Sequence, residues 1–244
     1  MNLFSLILLI LVIIISVVIY SSWNKNKVLL SGFKSGTETT SIAASKLPSN
    51  KSSNNYAYSI WFYVKNWQYK LQESKCLLRR GTLEGRNPEI SFTPYENNIN
   101  VNINMYPQCQ GQEGETQTCT IRNFPLQKWC NLIVSLNGRA LDMYLDGKLV
   151  RTCILPAVAK VYSDSDVLVT PEGGFSGWTS NVQYWSHPLN PQEAYNIYKG
   201  GYGSGGLGGY GSGGLGGLGG LFEKYKIRVS YLVDNSEKGS FDIV

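Results

Sequence analysis

Histidine is nearly absent from this chain, and the short motifs of common catalytic and metal sites are missing as well. His187 is the only histidine among 244 residues, and it precedes Pro188 in a predicted turn. A Ser-His-Asp or Cys-His arrangement would therefore have one candidate base and no recognisable nucleophile motif. The five cysteines form no C-x-x-C pair, so structural zinc is not expected.

Charge is also scarce, because only 16% of the residues are Asp, Glu, Lys or Arg, and the net charge of +5 is spread thinly. No dense basic stripe is interleaved with aromatic residues, so we predict no nucleic-acid partner. Aromatic residues make up 12% of the chain, which suits a β-rich globule. Both terminal regions lack domain-like patterning, so one core of ordinary size is expected between them.

Residues 1–22 predict a transmembrane anchor. The run from Leu3 to Tyr20 is apolar apart from two serines, and about 18 to 20 such residues cross the hydrocarbon core of a bilayer as a helix. A cleaved signal peptide is the alternative, but no Lys or Arg precedes the run and no small-residue cleavage site follows it. The predicted anchor residues, with an aromatic belt at the end, are Leu3, Ile7, Leu11, Ile15, Tyr20 and Trp23.

The charges that flank this run predict the side on which the rest of the chain lies. Lys25 and Lys27 follow the run, so the positive-inside rule places everything after residue 22 in the cytosol. The cysteines are then expected to be mostly thiols. Cys109 and Cys119 flank a polar loop and would be able to form a disulfide in an oxidising compartment. The cysteines are Cys76, Cys109, Cys119, Cys130 and Cys153.

Composition divides the remainder into four parts. Residues 23–55 are rich in Ser, Thr, Asn and Gly without a period and predict a polar stalk. Residues 56–199 carry the strand-like runs of a single domain. Residues 200–220 form a Gly-rich linker in which GYGSGGLG occurs twice, and residues 221–244 form a strand-like tail.

The stretch from Trp129 to Cys153 predicts three consecutive antiparallel strands. Its apolar runs are separated by Asn137-Gly138 and by Asp146-Gly147. Both dipeptides suit two-residue type I′ turns, whose central residues need positive φ. The three predicted strands are Leu132 to Leu136, Leu141 to Leu145 and Leu149 to Cys153.

Other runs predict further strands and one short helix. Their number and the turn residues between them predict a mainly β fold, a two-sheet antiparallel jelly-roll sandwich with an N-terminal transmembrane helix and a short helix before the Gly-rich linker. The predicted strands are Tyr56 to Trp67, Lys75 to Arg80, Glu89 to Thr93, Ile99 to Tyr106, Val167 to Thr170 and Trp178 to Trp185, and the predicted helix is Pro191 to Tyr198.

One predicted strand has an unusually regular polar side. From Ile99 to Met105, apolar residues alternate with Asn100, Asn102 and Asn104, which gives one dry face and one amide-lined face. The amide-lined face is either a hydrogen-bonding surface for a sugar or a partner, or an ordinary solvated sheet face.

Residues 56–199 resemble the laminin G-like and concanavalin A-like jelly rolls. In that family a Trp-led strand, a strand ending in Y-x-D-G and a late G-x-h-x-x-h-x-h-[YW] strand (h is apolar) followed by an L-[ST]-x-x-E helix recur. Asn190 stands here where Ser or Thr is usual. The matching residues are Tyr144, Asp146, Gly147, Gly177, Val182, Tyr184, Trp185, Leu189 and Glu193.

The resemblance implies the fold but not one function, since the fold carries lectins, glucanases, adhesion modules and viral proteins. The glucanases need paired carboxylates in an E-x-D-x-E-like spacing, and no such spacing occurs here. We therefore predict that the protein is not an enzyme and that it needs no cofactor. Some relatives bind Ca²⁺ at loops of the sandwich rim, and Asp164 and Asp166 are weak candidate ligands for it.

The tail is predicted to act beyond its own domain. Phe222 to Asp234 is strand-like, and a single strand cannot bury its apolar side alone. We predict that it pairs outside the sandwich with Ile227, Val229 and Tyr231 on the buried side, and the alternative is that it completes the sandwich in cis.

Two classes of function follow. The first is a structural protein that links a membrane to a protein shell or assembly, with the lipid bilayer and neighbouring capsid or assembly proteins as partners. In architecture such a protein resembles the minor capsid proteins of large icosahedral DNA viruses that keep a membrane beneath the shell, which implies a single-pass virion protein. The alternative is a membrane-anchored lectin-like module that binds a glycan.

Overall fold

The computed structural model describes residues 11–16, 28–48, 54–81, 85–107, 114–203, 227–233 and 236–243. Within them the chain forms fifteen strands, a helical segment at residues 11–16, a helix at Pro191–Lys199 and two short 3₁₀ helices, Ala44–Lys46 and Pro171–Gly173. The strands are β1 (Val28–Leu30), β2 (Lys34–Ser35), β3 (Thr40–Ile42), β4 (Tyr56–Asn66), β5 (Lys75–Gly81), β6 (Arg86–Phe92), β7 (Ile99–Asn104), β8 (Thr116–Ile121), β9 (Trp129–Asn137), β10 (Ala140–Leu145), β11 (Lys148–Ile154), β12 (Val167–Val169), β13 (Ser176–Trp185), β14 (Ile227–Val233) and β15 (Ser236–Ile243).

Two antiparallel sheets form the predicted sandwich. Sheet A has the strand order β1-β13-β4-β9-β10-β11, with β2 also paired to β13, and sheet B has the order β3-β12-β5-β6-β7-β8. Some neighbours are consecutive along the chain, as β9, β10 and β11 are, whereas β4 pairs with β9 and β13, which are far from it in sequence. The mainly β, two-sheet prediction is confirmed.

Apolar side chains from the inner faces of both sheets fill the space between them. Four phenylalanines form its aromatic centre, with ring centroids 4.9 Å apart for Phe92 and Phe124 and 5.1 Å for Phe92 and Phe175. Phe62 joins this group at 5.3 Å from Phe92. All four are completely buried, and burying a Phe side chain contributes about 1.5–3 kcal/mol.

A buried arginine ties the connection before β12 to this core. Arg80 is 6% exposed, and it donates to the carbonyl oxygens of Ser163 at 2.8 Å and Ser165 at 3.2 Å. Its Nη1 also donates to the hydroxyls of Tyr58 and Tyr184 at 3.4 and 3.5 Å. Burial raises the pKa of Tyr58 far above its ordinary value, so this phenol stays neutral.

A second buried cation lies at the start of β5. Lys75 is 1% exposed, and its Nζ has no hydrogen-bond partner in the described part of the chain. The ammonium group lies 4.4 Å from the ring centroid of Trp67. Burial lowers the pKa of Lys75, because a low-dielectric surrounding disfavours the charged form.

The three-stranded meander is present, but its two turns differ in type. Asp146 and Gly147 have φ values of 50° and 73° and connect Leu145 to Lys148, which is the predicted type I′ pattern. In the first turn Asn137 pairs with Ala140, so the central residues are Gly138 and Arg139. Of these only Gly138 has positive φ, at 59°, which is the type II′ pattern and corrects the prediction.

The predicted stalk is partly built into the sandwich. Within residues 23–55, β1 and β2 pair with β13 in sheet A, and β3 pairs with β12 in sheet B. These strands are two or three residues long, too short for a periodic pattern to reveal them. The polar stretch before Cys119 is likewise partly a strand, β8, which pairs with β7.

The expectation of thiols is wrong for two of the cysteines. Cys119 on β8 and Cys153 on β11 form a disulfide, and these are the edge strands of the two sheets. Cys76 and Cys130 are buried free thiols, and burial raises the pKa of each to about 12. Cys119 therefore pairs with Cys153 and not with Cys109, which lies outside the described residues.

The helix Pro191–Lys199 lies on the outer face of sheet A. Its start is fixed by a capping box, in which Asn190 Oδ1 accepts from the Glu193 backbone N–H and Glu193 Oε2 accepts from the Asn190 backbone N–H, both at 2.9 Å. Ala194 is buried in a small cluster with Ile133 and Trp185 of the sheet. This packing positions the start of the Gly-rich linker beside sheet A.

The tail is a hairpin instead of a single strand. β14 pairs antiparallel with β15, with Ile227 opposite Ile243 and Val229 opposite Phe241. The two strands form a sheet of their own, so the described strands of the tail are in neither sheet of the sandwich.

Candidate binding surfaces

Three aromatic residues lie side by side across the outer face of sheet A. Trp178 on β13 pairs with Tyr63 on β4, and Tyr63 pairs with Trp129 on β9. The ring centroids are 5.6 Å apart for Trp178 and Tyr63 and 5.7 Å for Tyr63 and Trp129. We call these three residues the aromatic row. It runs across three neighbouring strands because the register places all three residues at the same level.

Phe33, in the connection between β1 and β2, extends the aromatic row. Its ring centroid is 5.5 Å from that of Trp129. The side chains of Phe33 and Trp178 are 56% and 39% exposed. Tyr63 and Trp129, which connect these two rings, are half-buried. A group of partly exposed aromatic residues of this kind marks a binding surface more often than isolated exposed apolar residues do.

The beginning of the Gly-rich linker is fixed against the same face. The ring of Tyr202 stacks on Trp129 with centroids 4.7 Å apart and planes at 7°, and it meets Trp61 edge-on at 5.5 Å. Ser180 Oγ donates to the Tyr202 carbonyl at 2.6 Å, and Asn181 Nδ2 donates to the Gly201 carbonyl at 3.1 Å. The linker predicted to start at residue 200 is therefore held on the sandwich as far as Tyr202.

One lysine lies directly against the aromatic row. Lys65 Nζ is 5.7 Å from the ring centroid of Trp178, whereas Lys34 on β2 pairs with the buried Thr179 and therefore lies on the other side of the sheet from Trp178. Lys128 precedes Trp129 and is paired with Asp146 at 3.1 Å. The surface is therefore aromatic in the middle and positive at its edge.

The outer face of sheet B is polar and regular. Thr116, Thr118 and Thr120 on β8 donate to Asn104, Asn102 and Asn100 on β7, each at 2.8 Å between Oγ1 and Oδ1. The opposite side of β7, with Ile99, Val101 and Ile103, is completely buried. The predicted dry and amide-lined faces are confirmed, and each amide oxygen of the lined face already has a partner.

A polar hollow of about 600 Å³ lies at one end of this ladder. Within it Asn98 Nδ2 donates to Glu96 Oε2 at 2.6 Å, and Asn98 Oδ1 accepts from the backbone N–H of Asn123 at 3.0 Å. The guanidinium of Arg122 is exposed beside them. The hollow is lined by Thr93, Glu96, Asn98, Asn100, Thr120, Arg122 and Asn123.

Comparison with protein families identifies the sandwich. The family model of the concanavalin A-like lectin/glucanases superfamily matches residues 35–194. The chain belongs to this superfamily. No curated protein matches the chain in sequence.

Solved structures of the same superfamily fold include toxin domains. The chain is similar to the binding domain of botulinum neurotoxin serotype D, with 12% identity and a TM-score of 0.54 over 70% of this chain and 42% of that one. The receptor binding domain of the mosaic serotype C/D gives 12% identity and a TM-score of 0.54 over 69% and 41%. The chain thus spans about two-fifths of the length of these proteins. At such identity the similarity shows the fold alone.

Some carboxylates of this concanavalin A-like sandwich form ion pairs with basic partners. Arg86 Nη1 lies 2.6 Å from Glu89 Oε1, and Arg79 Nη1 lies 2.7 Å from Glu172 Oε1. The hydrogen bond from Arg79 lowers the pKa of Glu172, which is the opposite of what a catalytic acid needs. His187 is exposed, and its Nδ1 lies 3.0 Å from the Pro188 carbonyl.

The two weak calcium candidates have separate surroundings. Asp166 accepts from Ser41 Oγ at 3.1 Å and from the backbone N–H of Ala44 at 3.0 Å, so it holds the start of a 3₁₀ helix. Asp164 is exposed and accepts from Ser163 Oγ at 3.3 Å. Among the residues that the structure describes, no three His, Cys, Asp or Glu side chains are grouped as metal ligands.

The predicted anchor lies mostly outside the described residues, as do Leu3, Ile7, Tyr20 and Trp23. Residues 11–16 are helical, and Leu11 and Ile15 in them are 53% and 48% exposed. Across the described ranges, no helix is both long and apolar enough to span a bilayer.

The predicted partner-binding residues Ile227, Val229 and Tyr231 lie on β14. Their predicted burial against another chain stays a prediction.

The aromatic row is the surface that sequence reasoning missed. The runs SIWFYVKNW and GWTSNVQYW predict strands rich in aromatic residues. The alternation within each run shows only which of its residues share one side of that strand, and not which residues of other strands lie beside them. The row depends on the register of β4 with two strands that are far from it in sequence, because Tyr63 is 66 residues from Trp129 and 115 residues from Trp178.

Proposed function

We propose that the protein is a non-enzymatic jelly-roll module, anchored in a membrane by its N-terminal segment, that links this membrane to a protein assembly. The observation that carries the anchor is the helical segment at residues 11–16. Its side chains from Leu11 to Ile15 are all apolar and each is between 48% and 56% exposed. Five successive residues cover every side of a helix with 3.6 residues per turn. A helix that is apolar and exposed all round needs an apolar solvent.

The tail supports the link to an assembly. β14 and β15 form a two-stranded sheet of their own, and an isolated hairpin is at best marginally stable in water. The hairpin therefore gains most by adding to a sheet edge of a neighbouring chain. The part of the predicted linker after Tyr202, residues 203–220, allows it to search for that neighbour.

A minor capsid protein of a membrane-containing icosahedral virus is the form of this function that we propose, with the sandwich on the cytosolic side of the membrane. The Cys119–Cys153 disulfide then forms after the particle has left the reducing cytosol, because cytosolic thiols are kept reduced. Alkylation of thiols before lysis should find Cys119 and Cys153 free in cells and bonded in released particles. Bonded cysteines in freshly made protein would instead place the sandwich in an oxidising compartment.

Membrane extraction tests the anchor. The full chain should remain with membranes in alkaline carbonate, and Ile13→Glu should be extracted more readily, because a charge at the centre of a spanning helix costs about 2.5–3.5 kcal/mol. Ile154→Glu is the matched control, since Ile154 is 67% exposed on the sandwich. Release of the unaltered chain, or equal extraction of the Ile13 and Ile154 variants, would contradict the anchor.

Photo-cross-linking tests the link. A photoreactive residue at Val229 in the native assembly should give adducts with a different chain, and the same residue at Tyr95, 68% exposed on the sandwich, should not give the same adduct. Adducts of position 229 confined to the chain's own sandwich would show that the tail acts in cis.

A glycan-binding module is the second candidate, and the polar hollow together with the superfamily favours it. Amide, hydroxyl, carboxylate and guanidinium groups converge there, as recognition of a polar ligand requires. Binding of a glycan by the full chain in detergent should be weakened by Arg122→Ala and unaffected by Lys148→Ala, which alters an exposed lysine on β11. Turnover of any bound polysaccharide would overturn the non-enzymatic assignment.

A further inference from the structure

The aromatic row forms a surface with Lys65 beside it, and Tyr202 already covers one face of Trp129. Phe33 and Trp178 stay 56% and 39% exposed. Trp and Tyr rings are the side chains that prefer the interface between lipid and water, because one part of the ring system is apolar and the other can meet water. The chemistry of this surface therefore matches the headgroup region of a bilayer.

Charge around the row fits a negatively charged partner. Lys65 is exposed beside the row, and it forms no ion pair within the part of the chain that the structure describes. Lys65 Nζ lies 5.7 Å from the Trp178 ring centroid, so one ammonium group and one indole ring would meet the same small area of a partner. Lysines near a bilayer surface are attracted by anionic lipid headgroups.

Chain length keeps this surface close to the membrane. Seven residues, 21–27, separate the end of the predicted span at Tyr20 from Val28 at the start of β1. Fully extended they reach about 25 Å. β1 and β2 both pair with β13, the strand that carries Trp178, and Phe33 lies between them. The edge of sheet A that carries the row is thus the part of the sandwich most directly tied to the anchor.

We propose that the aromatic row with Phe33 and Lys65 docks on the surface of an anionic bilayer. Phe33 and Trp178 enter the boundary between headgroups and acyl chains, and the ammonium group of Lys65 contacts a lipid phosphate or carboxylate. This rests on the proposed membrane anchor and adds to it an orientation: the outer face of sheet A faces the lipid, and the polar ladder of sheet B faces away. A bilayer is favoured over a sugar because the two exposed rings, Phe33 and Trp178, have an ammonium group beside them and no carboxylate or amide contact among the described residues.

Quenching of tryptophan fluorescence by brominated lipid tests the docking. The full chain with Trp23→Phe, which removes the tryptophan of the predicted anchor, is reconstituted in vesicles of phosphatidylcholine with phosphatidylserine brominated near the headgroup end of its acyl chains. The same protein with Trp178→Phe added gives the emission of Trp178 by difference. We expect the brominated lipid to quench most of this difference emission, and to quench it less when the serine lipid is replaced by brominated phosphatidylcholine.

A double substitution that removes an exposed ring and reverses a charge, compared with a matched control, completes the test. Phe33→Ser with Lys65→Glu should abolish the quenching of Trp178. Ile154→Ser with Lys148→Glu makes the same changes on β11 and should leave the quenching intact. Equal quenching in both variants would overturn the proposal, as would an unquenched Trp178 in the unaltered row.

Carbonate extraction of the same vesicles separates this proposal from the anchor. A chain that resists carbonate but shows no quenching of Trp178 keeps its anchor and has no lipid-facing row. A chain that carbonate removes has no anchor, and quenching that requires the anionic lipid then supports docking by the row alone. If a glycan or a partner protein, and not lipid, changes the emission of Trp178, the row belongs to that ligand and the proposal is wrong.

Discussion

Reduction of the Cys119–Cys153 disulfide should markedly destabilise the sandwich. The bond joins β8 and β11, the outermost strands of the two sheets, and closes a loop with a sequence separation of 34 residues. In the chain-entropy treatment a loop of this length restricts the unfolded chain by an amount that corresponds to about 4 kcal/mol at 25 °C. Single domains are stable by about 5–15 kcal/mol, so this is a large fraction of the total.

Breaking the disulfide should change the folded state little. β8 is paired along its length with β7, and β11 is paired with β10, so both strands keep their places when the bond is broken. The effect should therefore appear mainly through the unfolded state. For a protein of this size about 4 kcal/mol corresponds to a decrease of roughly 8–16 °C in the midpoint of thermal unfolding.

Urea unfolding of the full chain in detergent, followed by tryptophan fluorescence with and without dithiothreitol, measures the difference. Cys76 and Cys130 are buried thiols and should not be affected by the reductant. A variant with Cys119→Ala and Cys153→Ala is the control, because its stability should not depend on dithiothreitol. If the oxidised and reduced forms of the unaltered chain differ by less than about 1 kcal/mol, the reasoning from loop closure is refuted.

Three further changes test other parts of the structure. Burial raises the pKa of Tyr58, so the contribution of this neutral phenol to stability is complete below the unfolded pKa of about 10 and falls by about 1.4 kcal/mol per pH unit above it. Urea unfolding between pH 9 and 11 should therefore show a smaller decrease in the free energy of unfolding for Tyr58→Phe than for the unaltered chain. Lys75→Met should raise the free energy of unfolding at pH 7 by about 1 kcal/mol, since it removes a buried ammonium group without a hydrogen-bond partner, and a decrease would show that the charge is well solvated. Gly177→Ala should lower the free energy of unfolding by about 3 kcal/mol, because a Cβ there overlaps the carbonyl oxygen of Tyr63. Gly203→Ala is the control and should leave stability unchanged, since no atom lies within 4 Å of a Cβ at that position. Equal stability of the two variants would contradict the close approach of β13 and β4.

Local patterns in the sequence account for the elements that are long and periodic. Three examples lie near their predicted bounds in the structure. They are the strand predicted by the alternation from Ile99 to Met105, the meander predicted by the apolar runs from Trp129 to Cys153, and the helix Pro191–Lys199 predicted by the Pro and Gly residues around it. They are predictable because side-chain alternation, turn residues and caps act between residues a few positions apart.

The candidate surfaces differ in how far the sequence predicts them. The amide-lined face on β7 could be predicted, since one strand defines it. The partners of its asparagines could not, because the threonines come from β8, which carries few apolar residues. The aromatic row could not be predicted from the sequence, because Tyr63, Trp129 and Trp178 belong to three different strands.

Neighbouring residues are enough to recognise the β-rich class, the apolar N-terminal run, the meander and the Gly-rich segment. The folded chain is needed to see that Cys119 bonds Cys153, that β1 to β3 belong to the sandwich, and that three aromatic rings form one surface. These features depend on which strands pair and in which register. Pairing over long sequence separations is set by how the whole core packs, and no local run of residues contains that information.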